Sequence, residues 1–198
     1  QLGVPPARIA MLPNPVDVDE QPDAASVARF RAAHAPRGAR LVLFLGKLTP
    51  RKGVLDLIQA FAQLPCRDAR LVIAGNDMGT GREADAMTAR LGLTDRVART
   101  GLLEGPARLA ALQAADVVVY PSRDEIFGLV PIEALLCGPP VVVCADSGCG
   151  EIIQAIGGGM TVAPGAPAAL ASAIAAVLGD LPAWRRRAAA AASLARGR

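Results

Sequence analysis

Short runs of branched aliphatic residues recur along this chain, and each run ends on a turn residue. Five such runs occupy residues 40–46, 69–75, 95–101, 116–122 and 140–146. Their hydrophobic residues do not alternate with polar ones, which is typical of parallel strands that helices cover on both faces. Helical patterns lie between and after them, at residues 53–64, 82–91, 106–115, 129–137, 167–178 and 183–196. This alternation predicts an α/β fold with a Rossmann-like, doubly wound parallel sheet, whose ligands bind at the carboxyl ends of the strands.

The length and charge of the chain narrow its class. Residues 1–198 contain no internal repeat and no linker, and a chain of this length buries roughly 70% of its unfolded surface, so we predict a single domain. The net charge of +3 is spread without a dense basic stripe, so nucleic acid is not an expected partner. No apolar run approaches the roughly 18 residues that cross a bilayer, which favours a cytoplasmic protein. Because the chain opens with Gln1, we expect it to be a piece of a longer protein.

Several common cofactor and metal motifs fail in this sequence. The segment 75–81 (GNDMGTG) does not keep the G-x-G-x-x-G register of dinucleotide-binding loops, and Gly46-Lys47 lacks the preceding glycine of a P-loop. The four cysteines form no CxxC pair, so we expect small buried hydrophobic side chains. Asp17 and Asp19 have the D-x-D form of a metal site, but no third oxygen ligand is evident, which favours a solvated loop. We therefore expect neither a cofactor nor a metal ion.

The segment 120–151 is the most informative part of the chain. Its pattern predicts a strand end, a loop, a helix, a strand and a final loop at SGCGE (residues 147–151). Pro131 fits only a first helical turn, and Gly138 before two prolines ends a helix, so we predict the helix from about Leu129 to Cys137. The N-terminus of that helix faces the carboxyl edge of the sheet, where unpaired backbone N–H groups suit a phosphate oxygen. These N–H groups lie around Phe127, Gly128 and Leu129.

Two glutamates flank this helix start. Glu125 precedes the helix and Glu133 lies inside it, eight residues on, so the two are not a simple stacked helical pair. Carboxylates accept hydrogen bonds from paired hydroxyls, which makes ribose and hexose rings natural ligands, one for each glutamate. A solvent-facing charge pair is the alternative.

Both lysines of the chain lie in one loop. The sequence has 21 basic residues, and Lys47 and Lys52 are its only lysines, placed together in GKLTPRKG at residues 46–53. An ammonium group is a compact charge suited to phosphate, so the two lysines and the helix start predict a pyrophosphate held from both sides. Solubilising loop charges are the alternative.

Several segments of the sequence resemble those of a known enzyme family. EIFGLVPIE, whose two glutamates bracket seven residues, and the following ALLCGPPVV and SGCGE resemble the signature of retaining glycosyltransferases of family 4. GKLTPRKG and NPVD (residues 14–17) are similar to two further segments of that family. The family has two Rossmann-like lobes in the GT-B fold, and the likeness, from about Ile9 to Leu178, covers only the C-terminal lobe that binds the nucleotide sugar.

The resemblance implies roles for individual residues. Glu125 would contact hydroxyls of the donor sugar and Glu133 the ribose, while Lys47 and Lys52 would hold the diphosphate without a metal. Glu125 and Lys52 are the implied catalytic residues. The further implied donor contacts are Gly75, Arg99, Gly101, Phe127, Gly128 and Leu129, with the base against the loop near Arg99 to Gly101. The family more often has Arg where Lys47 stands, so we expect weaker diphosphate binding there.

The function that the resemblance implies is transfer of a hexose from a UDP- or GDP-sugar to an acceptor hydroxyl, with the anomeric configuration retained. The N-terminal acceptor lobe has no counterpart in the 198 residues, so we expect this chain alone to bind the donor without turnover. The alternatives are a non-catalytic nucleotide-sugar-binding subunit and a phosphorylase or epimerase on a related two-lobe fold. A C-terminal helix at about 181–198, with one tryptophan and three consecutive arginines, leaves open a peripheral contact with the inner face of a bacterial membrane.

Overall fold

The valine- and leucine-rich runs form the strands of one parallel sheet in the computed structural model, which describes residues 22–196, apart from the side chain at 37, together with residues 5, 8 and 16. The strands are β1 (Leu41–Leu45), β2 (Arg70–Ala74), β3 (Val97–Gly101), β4 (Val117–Tyr120), β5 (Val141–Cys144) and β6 (Gly159–Val162). Their order is β3-β2-β1-β4-β5-β6, and all described pairings are parallel. This is the order of a doubly wound Rossmann-like sheet, so the predicted fold class is confirmed.

Helices cover both faces of the sheet. They are α1 (Ala24–His34), α2 (Val54–Ala62), α3 (Gly81–Arg90), α4 (Gly105–Ala114), α5 (Leu129–Cys137), α6 (Gly148–Ile156), α7 (Pro167–Gly179) and α8 (Leu181–Arg196). In β1, Val42 and Phe44 pack into a core with α2, α3 and α7, whereas Leu41 and Leu43 pack into a second core with α4, α5, α6 and α8. Each face of the central strand is thus buried, which explains why its sequence is hydrophobic throughout.

Three elements depart from the sequence prediction. Strand β6 was not predicted, because GMTV is short and three of its four residues are only half-buried. The segment SGCGE was predicted as a loop, but Gly148 begins α6. Strand β3 lies at the edge of the sheet and is only partly buried, so helices do not cover both of its faces as predicted.

The cysteines also need one correction. Cys137, Cys144 and Cys149 are buried, as predicted for small hydrophobic side chains. Cys66 is only half-buried, and its Sγ lies 2.8 Å from Oδ1 of Asp68. Burial raises the pKa of the Cys66 thiol, and the hydrogen bond to Asp68 raises it further. Cys66 is therefore a half-buried side chain that packs against one core and also contacts Asp68.

The loops after β1 and β2 are joined at the carboxyl edge. The backbone N–H of Leu48 donates to Asn76 O at 2.8 Å, and that of Met78 donates to Leu48 O at 3.2 Å. A Cβ at Gly75, whose φ is 146°, would lie 1.9 Å from Gly46 O, so only glycine permits this approach. The strand order reverses between β1 and β4, which places the expected ligand crevice beside these loops.

Among residues 22–196, no single helix is both long enough and apolar enough to cross a membrane. Helices α7 and α8, which meet at a bend of 97°, satisfy the length and composition requirements only as a joined pair.

Candidate active site

The loop after β1 carries Lys52 to the exit of β4. Residues 50–52 form a single 3-10 turn, and Gly53 follows in the left-handed conformation with φ 69°. A Cβ at Gly53 would lie 2.2 Å from Pro121 O, so the loop packs directly on the chain leaving β4. The ammonium of Lys52 lies 4.9 Å from the centroid of the Tyr120 ring and donates to the Tyr120 hydroxyl at 2.6 Å. The left-handed conformation and this close contact both require glycine at position 53, which places Lys52 beside the end of β4.

The same ammonium pairs with the carboxylate of Glu125. Oε2 of Glu125 also accepts hydrogen bonds from the Tyr120 hydroxyl at 3.1 Å and from Ser122 Oγ at 2.8 Å. We call Lys52, Tyr120, Ser122 and Glu125 the carboxyl-end cluster. Its carboxylate is held by three donors from two loops, and its side chain is 16% exposed.

The electrostatics of this cluster keep Glu125 ionised. Burial raises the pKa of Glu125, but the hydrogen bonds from Lys52, Ser122 and Tyr120, with the charge of Lys52, outweigh burial and hold the pKa below its usual 4.5. Burial and the Glu125 carboxylate raise the pKa of the Tyr120 hydroxyl, which therefore stays protonated. Near neutral pH the cluster presents a carboxylate acceptor bonded to an ammonium and a phenol.

Helix α6 fixes the loop between Glu125 and α5. The carbonyl of Glu125 accepts from the Cys149 N–H and from Ser147 Oγ, each at 2.9 Å. A Cβ at Gly148 would lie 2.0 Å from Ile126 O, and one at Gly128 would lie 2.5 Å from the Cys149 sulfur. The glycines predicted as a loop are thus the start of a helix that permits close packing against the Glu125 loop.

Helix α5 begins at Leu129, and its N-cap residue Gly128 is in the left-handed conformation with φ 73°. Within the described part of the chain, no side chain caps this helix start. The first N–H groups of a helix have no partner within that helix, so a start of this kind, whose N-cap lies three residues after Glu125, suits an anion.

The second predicted glutamate lies at a separate point. Glu133 of α5 forms an ion pair with Arg108 of α4, and the side chains are 13% and 27% exposed, respectively. Arg108 also lines a cavity of about 180 Å³ at the carboxyl edge, which we call the edge cavity. Its described lining residues are Leu45, Gly46, Lys47, Ala74, Gly75, Asn76, Leu102, Leu103 and Arg108. The exposed Lys47 and Gly75 therefore belong to this cavity.

The predicted base contacts Arg99 and Gly101 have different surroundings. The guanidinium of Arg99 is held by Asp85 at 3.0 Å and by Asp77 at 3.8 Å, and Arg99 is not among the described residues that line the edge cavity. Gly101 accepts a hydrogen bond from the Gly75 N–H at 2.8 Å. The structure thus brings Gly101 beside the cavity-lining Gly75, while the Arg99 side chain is bound to acidic neighbours.

Sequence reasoning missed three residues of this region. Tyr120 is the last residue of a buried strand and Ser122 lies two residues beyond it, and that position in VVVYPS could have drawn attention to both. Arg108 carries no comparable signal, because its partner lies 25 residues away on another helix. The NPVD segment and the D-x-D pair at 17–19 include residues outside the described part of the chain.

Most of the chain matches a known protein family. Residues 27–193 match the family model described as glycosyl transferases group 1. This chain belongs to that glycosyltransferase family. A D-inositol 3-phosphate glycosyltransferase of Xylanimonas cellulosilytica is 36% identical over 186 residues, which are 87% of this chain and 43% of that protein. The chain spans less than half the length of the curated relatives it matches.

Solved structures agree with the family. The Anabaena protein HepE, in a crystal structure in complex with UDP and glucose, has a TM-score of 0.81 and 28% identity over 90% of this chain and 49% of that one. The C-terminal domain of a glycosyl transferase group 1 family protein from Francisella tularensis has a TM-score of 0.76 and 19% identity, over 90% of this chain and 94% of that one. The latter likeness shows a shared fold. The structural neighbours of this glycosyltransferase chain are of the GT-B type.

Proposed function

We propose that this chain is the donor-binding C-terminal lobe of a retaining glycosyltransferase of family 4. The complete enzyme transfers a hexose from a UDP- or GDP-sugar to an acceptor hydroxyl. The carboxyl-end cluster carries this proposal, because it holds an ammonium and an ionised carboxylate beside the uncapped start of α5. A UDP-bound neighbour with 28% identity supports a nucleotide sugar as the ligand.

The proposed chemistry depends on charge at the leaving group. When the sugar–phosphate bond breaks, negative charge develops on the nucleoside diphosphate. Lys52 and the backbone N–H groups of Phe127, Gly128 and Leu129 stabilise that charge, and each 1.4 kcal/mol of differential stabilisation is worth about tenfold in rate. The ammonium of Lys52 turns from Glu125 towards the phosphate, which releases the carboxylate for hydroxyls of the sugar. No step of this scheme uses a metal ion.

Recognition of the nucleoside falls to the edge cavity in this proposal. Its walls come from the ends of β1 and β2 and from the loop after β3, and Glu133 lies beside Arg108 at its border. Glu133 accepts hydrogen bonds from the ribose hydroxyls. Lys47 lines the cavity from the loop after β1 and contributes a second positive charge to diphosphate binding.

The acceptor lobe belongs, in this proposal, to the remaining length of the enzyme. Support comes from the chain spanning less than half of its curated relatives and nearly all of an isolated C-terminal domain. The 198-residue chain then binds donor without turning it over. We assign the enzyme to the cytoplasm, with peripheral membrane contact through α8 as the alternative. In α8 the Arg187 guanidinium lies 4.6 Å from the Trp184 ring centroid.

Titration calorimetry of the 198-residue chain with UDP, GDP and their glucose conjugates tests the donor site. Saturable one-to-one binding of a nucleoside diphosphate, with uridine or guanosine alone much weaker, supports the proposal. Absence of binding by both diphosphates overturns it. For the full-length protein, NMR of the product separates the reactions: an α-glycoside from an α-linked donor supports retention. Release of free phosphate indicates a phosphorylase, an epimerised donor indicates an epimerase, and no product indicates a binding subunit.

A further inference from the structure

The ion pair between Arg108 of α4 and Glu133 of α5 is largely shielded from solvent. Glu133 lies on α5 with only 13% of its side chain exposed, and an ionised carboxylate in such a place needs a charged or hydrogen-bonding partner. The contact that the structure records for its carboxylate, among the described residues, is the guanidinium of Arg108 from α4. Arg108 therefore fixes the direction of the Glu133 carboxylate.

Arg108 connects this ion pair to the edge cavity. The same side chain lines the edge cavity, next to backbone from the ends of β1 and β2. A carboxylate offers about four acceptor sites on its two oxygens. The pair engages Oε2 of Glu133, so a hydroxyl-bearing ligand beside the cavity can still bind the other oxygen while Arg108 stays in place.

We propose that Arg108 is a positioning residue for ribose recognition, because it lines the edge cavity and holds the Glu133 carboxylate beside it. This inference rests on the proposed function, in which Glu133 binds the ribose hydroxyls. Removing the guanidinium leaves the carboxylate free to turn away from the edge cavity, and the site then loses its preference for a ribose diol.

The test is the ratio of affinities for UDP over 2′-deoxy-UDP, or the GDP pair if GDP binds more tightly. Calorimetry measures it for the wild-type chain and for Arg108→Ala, Arg108→Lys, Glu133→Ala and the double variant Arg108→Ala/Glu133→Ala. A lost charge-assisted hydrogen bond is worth about tenfold or more, so we expect Arg108→Ala to lower the ratio by about tenfold. The affinity for the deoxy nucleotide should change much less.

Coupling distinguishes positioning from general destabilisation. The double variant should have the same ratio as Glu133→Ala, since Arg108 acts through that carboxylate. Arg108→Lys keeps the charge without the planar fork and should restore part of the ratio, and it carries the test if Arg108→Ala does not fold. Arg29→Ala, which removes an exposed arginine of α1, is the matched control and should leave the ratio unchanged.

The outcomes separate the two hypotheses. If the wild-type chain binds neither diphosphate, the proposed function fails. If the wild type prefers ribose and Glu133→Ala loses that preference while Arg108→Ala keeps it, only the positioning role is overturned. A preference that survives in Glu133→Ala removes the ribose role of Glu133 and with it this inference.

Discussion

Strand β4 has an acidic side chain beside each of its ends, and the two are used differently. Asp116 precedes the strand and is 3% exposed, in contact with Arg31 at 2.8 Å and Arg185 at 3.3 Å. We call these three residues the amino-end cluster. Glu125 follows the strand within the carboxyl-end cluster. Both clusters pair a carboxylate with basic side chains, but their partners come from different kinds of element.

The amino-end cluster is closed. Asp116 also accepts the backbone N–H of Leu41 at 2.8 Å, and Arg31 donates to the carbonyls of Ala39 and Ala114. Its basic residues come from helices α1 and α8, so the cluster joins both helices to the sheet. The carboxyl-end cluster is built on loops beside a helix start that suits an anion. The same chemistry therefore stabilises the fold at one end of the strand and remains available to a ligand at the other.

Removing the Asp116 carboxylate should have the largest effect. Asp116→Ala leaves the buried N–H of Leu41 without its acceptor, which alone costs about 1–3 kcal/mol, and it also removes the shared partner of Arg31 and Arg185. Urea denaturation should show this loss. The control Asp85→Ala removes a carboxylate that is 64% exposed, where a surface pair is worth about 0–1 kcal/mol. Equal stability losses for both variants would contradict the closed character of the amino-end cluster.

Lys52→Ala should act mainly on ligand binding. It removes one charge-assisted hydrogen bond to the diphosphate, so we expect UDP to bind at least about tenfold more weakly than to the wild type. Calorimetry at a temperature where the variant is folded measures this effect. Arg82→Ala, which removes an equal charge from an exposed position on α3, should retain the wild-type affinity. Unchanged affinity in Lys52→Ala would remove the phosphate role of this lysine.

Tyr120→Phe tests whether the Tyr120 hydroxyl links Lys52 to Glu125 in the carboxyl-end cluster. The hydroxyl accepts from Lys52 and donates to Glu125, so its loss should cost about 1 kcal/mol in UDP affinity, or roughly fivefold, by loosening both partners. Ser122→Ala removes only one donor to Glu125 and should cost less. If the serine variant were the weaker binder, Tyr120 would not be the link between the lysine and the glutamate.

The pH dependence of stability should show the smallest effect. The pKa of Glu125 is lower in the folded chain than its usual 4.5, so the ionised group stabilises the fold above that pH. This contribution is lost as the pH falls through the folded-state pKa. Wild type should therefore exceed Glu125→Gln in stability at pH 6, and the difference should shrink between pH 4.5 and 3. A difference that grows on acidification would contradict the network around Glu125.

The sequence predicted the sheet more completely than it predicted the site. Buried parallel strands are continuous hydrophobic runs, and α5 was predicted with the observed bounds because Pro131 and Gly138 mark its first turn and its end. Helix α6 was missed because Gly148 and Gly150 weaken its helical pattern, although both are required by close backbone contacts. Such contacts depend on chain segments that are distant in sequence.

The same limit applies to the site residues. Glu125 and Lys52 were proposed together, and the structure places them in one ion pair, although their roles in donor binding stay predictions. The separate pairing of Glu133 with Arg108 could not be foreseen, since it depends on how α4 packs beside α5. Residue types and local spacing predict which groups reach the carboxyl edge, whereas packing between helices determines which groups meet there.

A crystal structure of this chain with UDP would locate the two phosphorus atoms and so show which groups hold the diphosphate. We expect the diphosphate between the Lys52 ammonium and the N–H groups of Phe127, Gly128 and Leu129, with the ribose beside Glu133. A diphosphate bound away from both Lys52 and the start of α5 would contradict the account.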